Sequence, residues 1–330
     1  MSLITILSTG SRGDTQPYIA LGKALQKAGQ QVRLAAFENY ESFVKDNGLE
    51  FFPIKGNVSR DVSSKVMNSA ANADNPLKIL FSFRELQKLV FGLQEGFFNA
   101  CEGADVVVYH PGAAIGYFAA RHFGIPSVLA TPFPMTPTGE YSSMILYDKI
   151  RGGRMINLLT HRVFTRIMWS ASKVPVRRFL KMKLGRIPAD FGCPFPKQVT
   201  QTHPTIVSCS DYVFPAPKDW PDNVHNTGYW FLDEEAGWTP PAELERFLQA
   251  GDAPVYFGFG SLGMSGVASR TIDMVLQALK QTGRRGVLAT GWSAVDQKSK
   301  ISDNVFVLES APHSWLFPKM AAVVHHGGAG

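Results

Sequence analysis

The chain predicts an α/β protein made of two Rossmann-like domains in tandem. Short apolar runs alternate with amphipathic helical stretches over the first 55 residues, and again after residue 253. The leading strand of each series empties into a glycine-bearing loop. Between the series the composition breaks at Asp233-Glu-Glu-Ala-Gly-Trp-Thr-Pro-Pro241, acidic and stiffened by proline.

Leu3 to Ser8 reads as a buried strand. Pro17 can start a helix that runs to Ala28, where Gly29 stops it. Gln31 to Phe37 is the next strand, Tyr40 to Asn47 a short helix stopped by Gly48, and Leu49 to Ile54 a third strand. This βαβαβ order favours a parallel sheet. Helical stretches near 76–100 and 143–183 read as insertions, walls of a pocket rather than sheet. Between them lie a strand over Asp105 to His110, a helix over Ala113 to Phe123 and a strand over Pro126 to Thr131. The second series offers strands at Pro254 to Gly260, Arg285 to Thr290, Asn304 to Leu308 and Ala321 to Val324, with a helix from Arg270 to Gln281. The domains expected are therefore 1–232 and 243–330, joined by a linker at 233–242. Strand order is not legible at this level.

A hydrophobic content of 45% over 330 residues is ample for two cores. Cys101, Cys193 and Cys209 have neither metal-like nor redox-pair spacing, which points to a reducing compartment. The first residues lack the basic start and long apolar core of a signal peptide, and no apolar run spans a bilayer. The expectation is a cytoplasmic protein whose membrane contact, if any, is peripheral. Charge is uneven: from Arg151 to Arg186 there are ten Lys or Arg residues and no Asp or Glu, interleaved with apolar ones. Segment 151–186 reads either as a surface for anionic lipid or as a solvated helix face over a core. No recognition motif for nucleic acid accompanies it, so nucleic acid is not an expected partner.

The first strand ends in Thr9-Gly10-Ser11-Arg12-Gly13-Asp14-Thr15-Gln16-Pro17, where open α/β sheets place their ligands. With a charge between its two glycines it is not a dinucleotide fingerprint. Asp14 has two readings: a carboxylate that caps the following helix, or a general base for an acceptor hydroxyl held about 2.6–3.2 Å away. In the second series Gly258, Gly260 and Ser261 follow a strand; small residues and a hydroxyl there suit a pyrophosphate, or serve tight packing. Trp292 ends the next strand, and Pro312 fixes a loop, Ala311 to His313, whose backbone can meet a base edge. Trp315, Leu316 and Phe317 read as a short helix packing into the core. The run Ala321 to Val324 leads into His325-His326-Gly327-Gly328-Ala329-Gly330, a cradle for an anion. Adjacent histidines on a strand face opposite ways, and nothing around them completes a metal site. His110, at another strand end, can orient an acceptor, assist Asp14 or be structural, while Phe133 and Met135 in Pro132-Phe-Pro-Met-Thr-Pro-Thr138 mark a greasy pocket.

These motifs, from Gly10-Ser-Arg-Gly-Asp-Thr-Gln-Pro-Tyr-Ile-Ala-Leu-Gly22 through Pro254-Val-Tyr-Phe-Gly-Phe-Gly-Ser261 and Pro312-His-Ser-Trp-Leu-Phe-Pro318 to Val324-His-His-Gly-Gly-Ala-Gly330, resemble the sterol glucosyltransferase branch of the UDP-sugar glycosyltransferases. The resemblance covers essentially the whole chain. It implies the GT-B fold, with an acceptor domain and a nucleotide-sugar domain facing across a cleft. It also implies an inverting transfer, without metal or cofactor, of a hexosyl group such as glucose from a UDP-sugar co-substrate to a sterol or similar lipophilic alcohol. By carry-over Asp14 is the base. The donor-binding residues are Ser11, Gly260, Ser261, Trp292, Ala311, His313, His325, Gly327, Gly328, Ala329 and Gly330, and the acceptor side is His110, Phe133 and Met135. Relatives continue past the Gly-Ala-Gly into Thr, a helix, an acidic-Gln pair that grips the sugar and a final helix. These 330 residues do not contain them, so the second domain is expected to be incomplete and the isolated chain to have little or no activity. The other reading is a non-catalytic nucleotide- or lipid-binding fragment that needs a partner chain.

Overall fold

In a computed structural model, the described residues are 1–56, 76–147, 149, 152–195, 203–232, 238–258, 268–289, 302–308 and 311–325, with backbone alone for 76–85 and 268–271. The chain divides into two compact units, the second taking over at Asp233.

The first unit is built on seven parallel strands: β1 (Leu3–Leu7), β2 (Gln31–Phe37), β3 (Glu50–Ile54), β4 (Val106–Tyr109), β5 (Ser127–Thr131), β6 (Thr205–Val207) and β7 (Val224–Asn226). Their order is β3-β2-β1-β4-β5-β6-β7. The chain thus winds outward from β1 in one direction and, after β4, in the other. Leu7 pairs with Tyr109 where the two windings meet. Helices α1 (Arg12–Lys27), α2 (Glu41–Asp46), α3 (Pro76–Ala100), α4 (Ile115–Phe123) and α5 (Arg154–Leu184) accompany the sheet. Leu7, Leu34, Ala36 and Leu129 of the strands share one core with Phe97, Phe118 and Phe179 of α3, α4 and α5. A parallel sheet needs this cover, and its strands accordingly carry apolar side chains on both faces.

The second unit carries β8 (Val255–Gly258), β9 (Gly286–Ala289), β10 (Val305–Leu308) and β11 (Ala322–His325), all parallel, in the order β10-β9-β8-β11. Its helices are α6 (Ala242–Gln249), α7 (Ala268–Thr282) and the short α8 (His313–Leu316). Alternation on β8 sends neighbours to opposite faces. Tyr256 joins Val287, Leu316 and Phe247 in one cluster, whereas Phe257 joins Val275 and Leu279 of α7 in another. Two parallel α/β domains of this kind form a GT-B-like double Rossmann fold: the strand and helix pattern predicts the two Rossmann-like domains, and the resemblance implies GT-B.

Three differences from the sequence reading have physical causes. Helix α1 starts at Arg12 rather than Pro17, because the Asp14 carboxylate reaches back to the Ser11 N–H and satisfies an open donor of the first turn. Pro17 sits inside the helix, where its ring removes one backbone donor. Strands β6 and β7 carry no sequence signal, because each has only three residues and Val224-His-Asn226 has no apolar run. Helix α6 follows Pro241 directly and begins within the stretch assigned to the linker.

Candidate active site

Open α/β sheets bind ligands at the carboxyl ends of their strands, where the winding reverses. In the first sheet that place lies between β1 and β4. The loop after β1 delivers Asp14, and the end of β4 delivers His110, whose backbone N–H bonds the Leu7 carbonyl at 2.9 Å.

Both side chains are held from outside the pair. Asp14 Oδ2 accepts from the Ser11 N–H at 2.7 Å and from Ser11 Oγ at 3.0 Å. Ser8 Oγ donates to the Asp14 carbonyl at 3.2 Å, so main chain and side chain are both fixed. His110 Nδ1 accepts from the Gly112 N–H at 3.0 Å. An amide can only donate, so Nδ1 carries the lone pair and the neutral ring has its proton on Nε2. That nitrogen faces Asp14 Oδ1 at 4.0 Å, with the His110 side chain 12% exposed and that of Asp14 37%. Burial pushes the His110 pKa down, opposed by the nearby Asp14 charge, and the imidazole is neutral at pH 7. Among the described residues no hydrogen bond is made by Asp14 Oδ1.

The surround is aromatic and hydrogen-bonded. Tyr18 stands edge-on to the His110 ring at 5.8 Å and to Trp230 at 5.7 Å. Its hydroxyl donates to the Ala130 carbonyl at 2.6 Å, which ties α1 to β5. Trp230 is anchored by its backbone N–H to Ser208 Oγ at 3.2 Å and by Nε1 to Thr227 Oγ1 at 2.9 Å. The sequence reading missed Tyr18 and Trp230. Tyr18 sits in the recognised motif, but nothing in its spacing says that it touches the His110 ring.

The other predicted residues are distributed as follows. Ser11 belongs to the Asp14 network. Phe133 packs edge-on against Phe164 of α5, and Met135 is 1% exposed, within the core. The structure therefore gives Met135 a packing position and no exposed surface. In the second unit His313 begins α8, stacks on Phe317 at 4.4 Å and 14°, and lies 3.4 Å from the Tyr256 hydroxyl. Ala311 packs against the same cluster, and Trp315 is half-buried beside it while Leu316 is fully buried. The winding of this sheet reverses between β8 and β11, and His325, at the end of β11, pairs with Gly258. Gly260, Ser261, Trp292, Gly327, Gly328, Ala329 and Gly330 lie outside the described residues.

Comparison with known proteins bears on the same strand ends. Residues 4–142 match the glycosyltransferase family 28 N-terminal domain. That stretch contains both Asp14 and His110. Over 99% of its length the chain is 32% identical to a sterol 3-beta-glucosyltransferase of Arabidopsis thaliana, covering 52% of that protein. It is 34% identical to a sterol 3-beta-glucosyltransferase of Leptosphaeria maculans, covering 23%. The chain thus spans about half or less of the length of these curated relatives. Among solved structures, the glycosyltransferase of kitacinnamycin superimposes with a TM-score of 0.62 at 17% identity, over 99% of this chain and 76% of that one. The calicheamicin glycosyltransferase CalG4 gives 0.60 at 17% identity, over 100% and 75%. At such identities the likeness is one of fold.

Proposed function

We propose that this chain carries the acceptor-activating half of a UDP-sugar-dependent glycosyltransferase, moving a hexosyl group, glucose by preference, to the hydroxyl of a sterol or similar lipophilic alcohol. The observation that carries the reading is the pair formed by Asp14 Oδ1 and His110 Nε2, 4.0 Å apart at the reversal of the first sheet. An alcohol oxygen about 2.8 Å from each atom fits between them, donating to the carboxylate and accepting from the imidazole N–H. Similarity to sterol 3-beta-glucosyltransferases supports the class of acceptor.

In this reading Asp14 takes the hydroxyl proton as the acceptor oxygen attacks the anomeric carbon from the face opposite the diphosphate. The bond from that carbon to the diphosphate oxygen breaks, UDP departs with the electron pair, and the product has inverted configuration. His110 stays neutral and stabilises charge growing on the acceptor oxygen, while Ser11 keeps the carboxylate aimed. Phe133 forms the apolar wall, with Met135 supporting it from beneath. The diphosphate falls to His325 and the residues after β8 and β11, and the base to the loop of Ala311 and His313. No metal is assigned a role.

The test is transfer of labelled glucose from UDP-glucose to a sterol, measured on this chain and on a fusion that continues after Gly330 with the corresponding part of the Arabidopsis relative. Asp14→Asn should reduce kcat in the active form by a factor of about 100 or more while UDP affinity, by calorimetry, stays within about twofold. Transfer that survives the substitution overturns the role of Asp14. A folded fusion that binds UDP but transfers nothing favours a binding module.

A further inference from the structure

Helix α5 hides one face and displays another whose chemistry the transfer reaction does not use. Its inner face packs Phe164, Trp169, Val176, Phe179 and Leu180 into the first core. Its outer face carries Ile156, Leu159, Val163, Ile167 and Val174, successively three, four, four and seven residues apart, so they share one strip of the helix surface. The strip lies in water: Leu159 is 58% exposed, Ile167 56% and Val174 53%. Met144 and Ile145 are exposed as well, on a turn whose Ser143 N–H bonds Thr160 of α5 at 2.9 Å. Along one flank of the strip run Arg162, Arg166, Lys173 and Arg177, all exposed. A helix that merely roofs a core gains nothing from aliphatic side chains on its outside, and contiguous exposed apolar surface of this kind marks a contact.

We propose that this outer face of α5 docks on an anionic bilayer, the aliphatic strip seated among the headgroups and the basic row on their phosphates. Charge selects the occupant. A second copy of the chain would bring a row of four cations against its own image, with no acidic residue between 151 and 186 to relieve it. A nucleic acid would engage the row and leave the strip in water. No helix among the described residues is long and apolar enough to cross a membrane, so the contact is along the surface. The proposal stands on α5 alone and survives failure of the transfer reading.

The experiment is co-flotation of the full chain with vesicles of phosphatidylcholine, with and without phosphatidylserine, at low and high salt. Expected are binding only to the phosphatidylserine vesicles and its weakening by salt. Arg162→Glu with Arg166→Glu, and separately Leu159→Ser with Ile167→Ser, should each weaken binding by about tenfold or more. Lys27→Glu on the exposed side of α1 should leave it unchanged. Circular dichroism confirms that each variant is folded, and the dependence on lipid and salt is read on the unaltered chain, so a misfolded variant does not spare the proposal. Four results overturn it: no binding to either vesicle, equal binding to both, loss with the arginine pair but not the aliphatic pair, or self-association that the same substitutions abolish.

Discussion

Gly10 lies so close to the Asp14 carboxylate that a Cβ at position 10 would fall inside the contact radius of Oδ2. Its φ of 129° is also one that side-chain-bearing residues rarely adopt. The glycine is therefore what lets the β1 loop pass beneath Asp14 while the carboxylate reaches back to Ser11. Gly10→Ala should cost about 1–3 kcal/mol in urea unfolding through backbone strain. It should also displace Oδ1, so in an active form kcat falls further than stability explains. An alanine variant of unchanged stability would show that the loop re-routes freely.

Gly112 does for His110 what Gly10 does for Asp14. A Cβ at position 112 would stand 2.7 Å from Thr9 Cγ2 and 3.1 Å from His110 Nδ1, wedging apart the bond that sets the tautomer. Nitrogen-15 NMR of the histidine rings should find His110 at neutral pH with Nδ1 unprotonated and Nε2 protonated. Gly112→Ala should disturb that signal while leaving His203, whose Nδ1 is 2.9 Å from Ser127 Oγ, as it was. A His110 ring protonated on Nδ1 would contradict the geometry.

The architecture was legible where the physics is local. β4 and β8 are apolar runs, β1 is broken only by the buried Thr5, and β2 carries Val32 and Leu34 to Phe37 around Arg33, because both faces of a parallel sheet are covered; Gly29, Gly48 and Gly124 mark helix ends by positive φ. What stayed hidden depends on contacts distant in sequence. Neither Asp14 nor His110 says from its neighbours that β1 and β4 are adjacent; only strand order does, and it makes them a pair. At the start of α1 Pro17 is the louder signal in the sequence, whereas the Asp14 carboxylate on the Ser11 N–H sets the start at Arg12. Tyr18 and Trp230 needed the same tertiary information.

Three histidines predict how stability follows pH. Burial lowers the pKa of His110, His161 and His203, with Asp14 opposing at the first and backbone hydrogen bonds at Tyr141 and Ser127 at the others. In the unfolded chain each takes up a proton below about pH 6.5, while the folded form resists it. Stability should thus be fully present above that pH and fall as pH drops toward the lowered native values. The slope is at most about 1.4 kcal/mol per pH unit for each histidine still neutral in the fold. Urea unfolding at a series of pH values from neutral downward checks it. Stability that is flat or rising over that range would mean these rings are not buried neutral in solution.

The last prediction concerns the strap that seats α5. Asp219, in the loop between β6 and β7, accepts from Thr138 Oγ1 at 2.5 Å, from the Gly139 N–H at 2.8 Å and from Arg154 at 3.0 Å, the first residue of α5. Burial of Asp219 pushes its pKa up, but these donors and the Arg154 charge outweigh it, so the carboxyl titrates below the usual range. Its contribution is present above the unfolded value of about 3.9 and is lost as pH falls further. Asp219→Ala leaves the Thr138 hydroxyl and the Gly139 N–H without their acceptor and should cost about 1–3 kcal/mol. Because Asn157 Nδ2 also holds the Gly139 carbonyl at 2.9 Å, the loss should concentrate at residues 138–141 and the first turn of α5. Hydrogen exchange should then speed up there while β1 and β4 keep their protection; acceleration spread evenly over the first unit would mean that Asp219 holds up the whole domain instead.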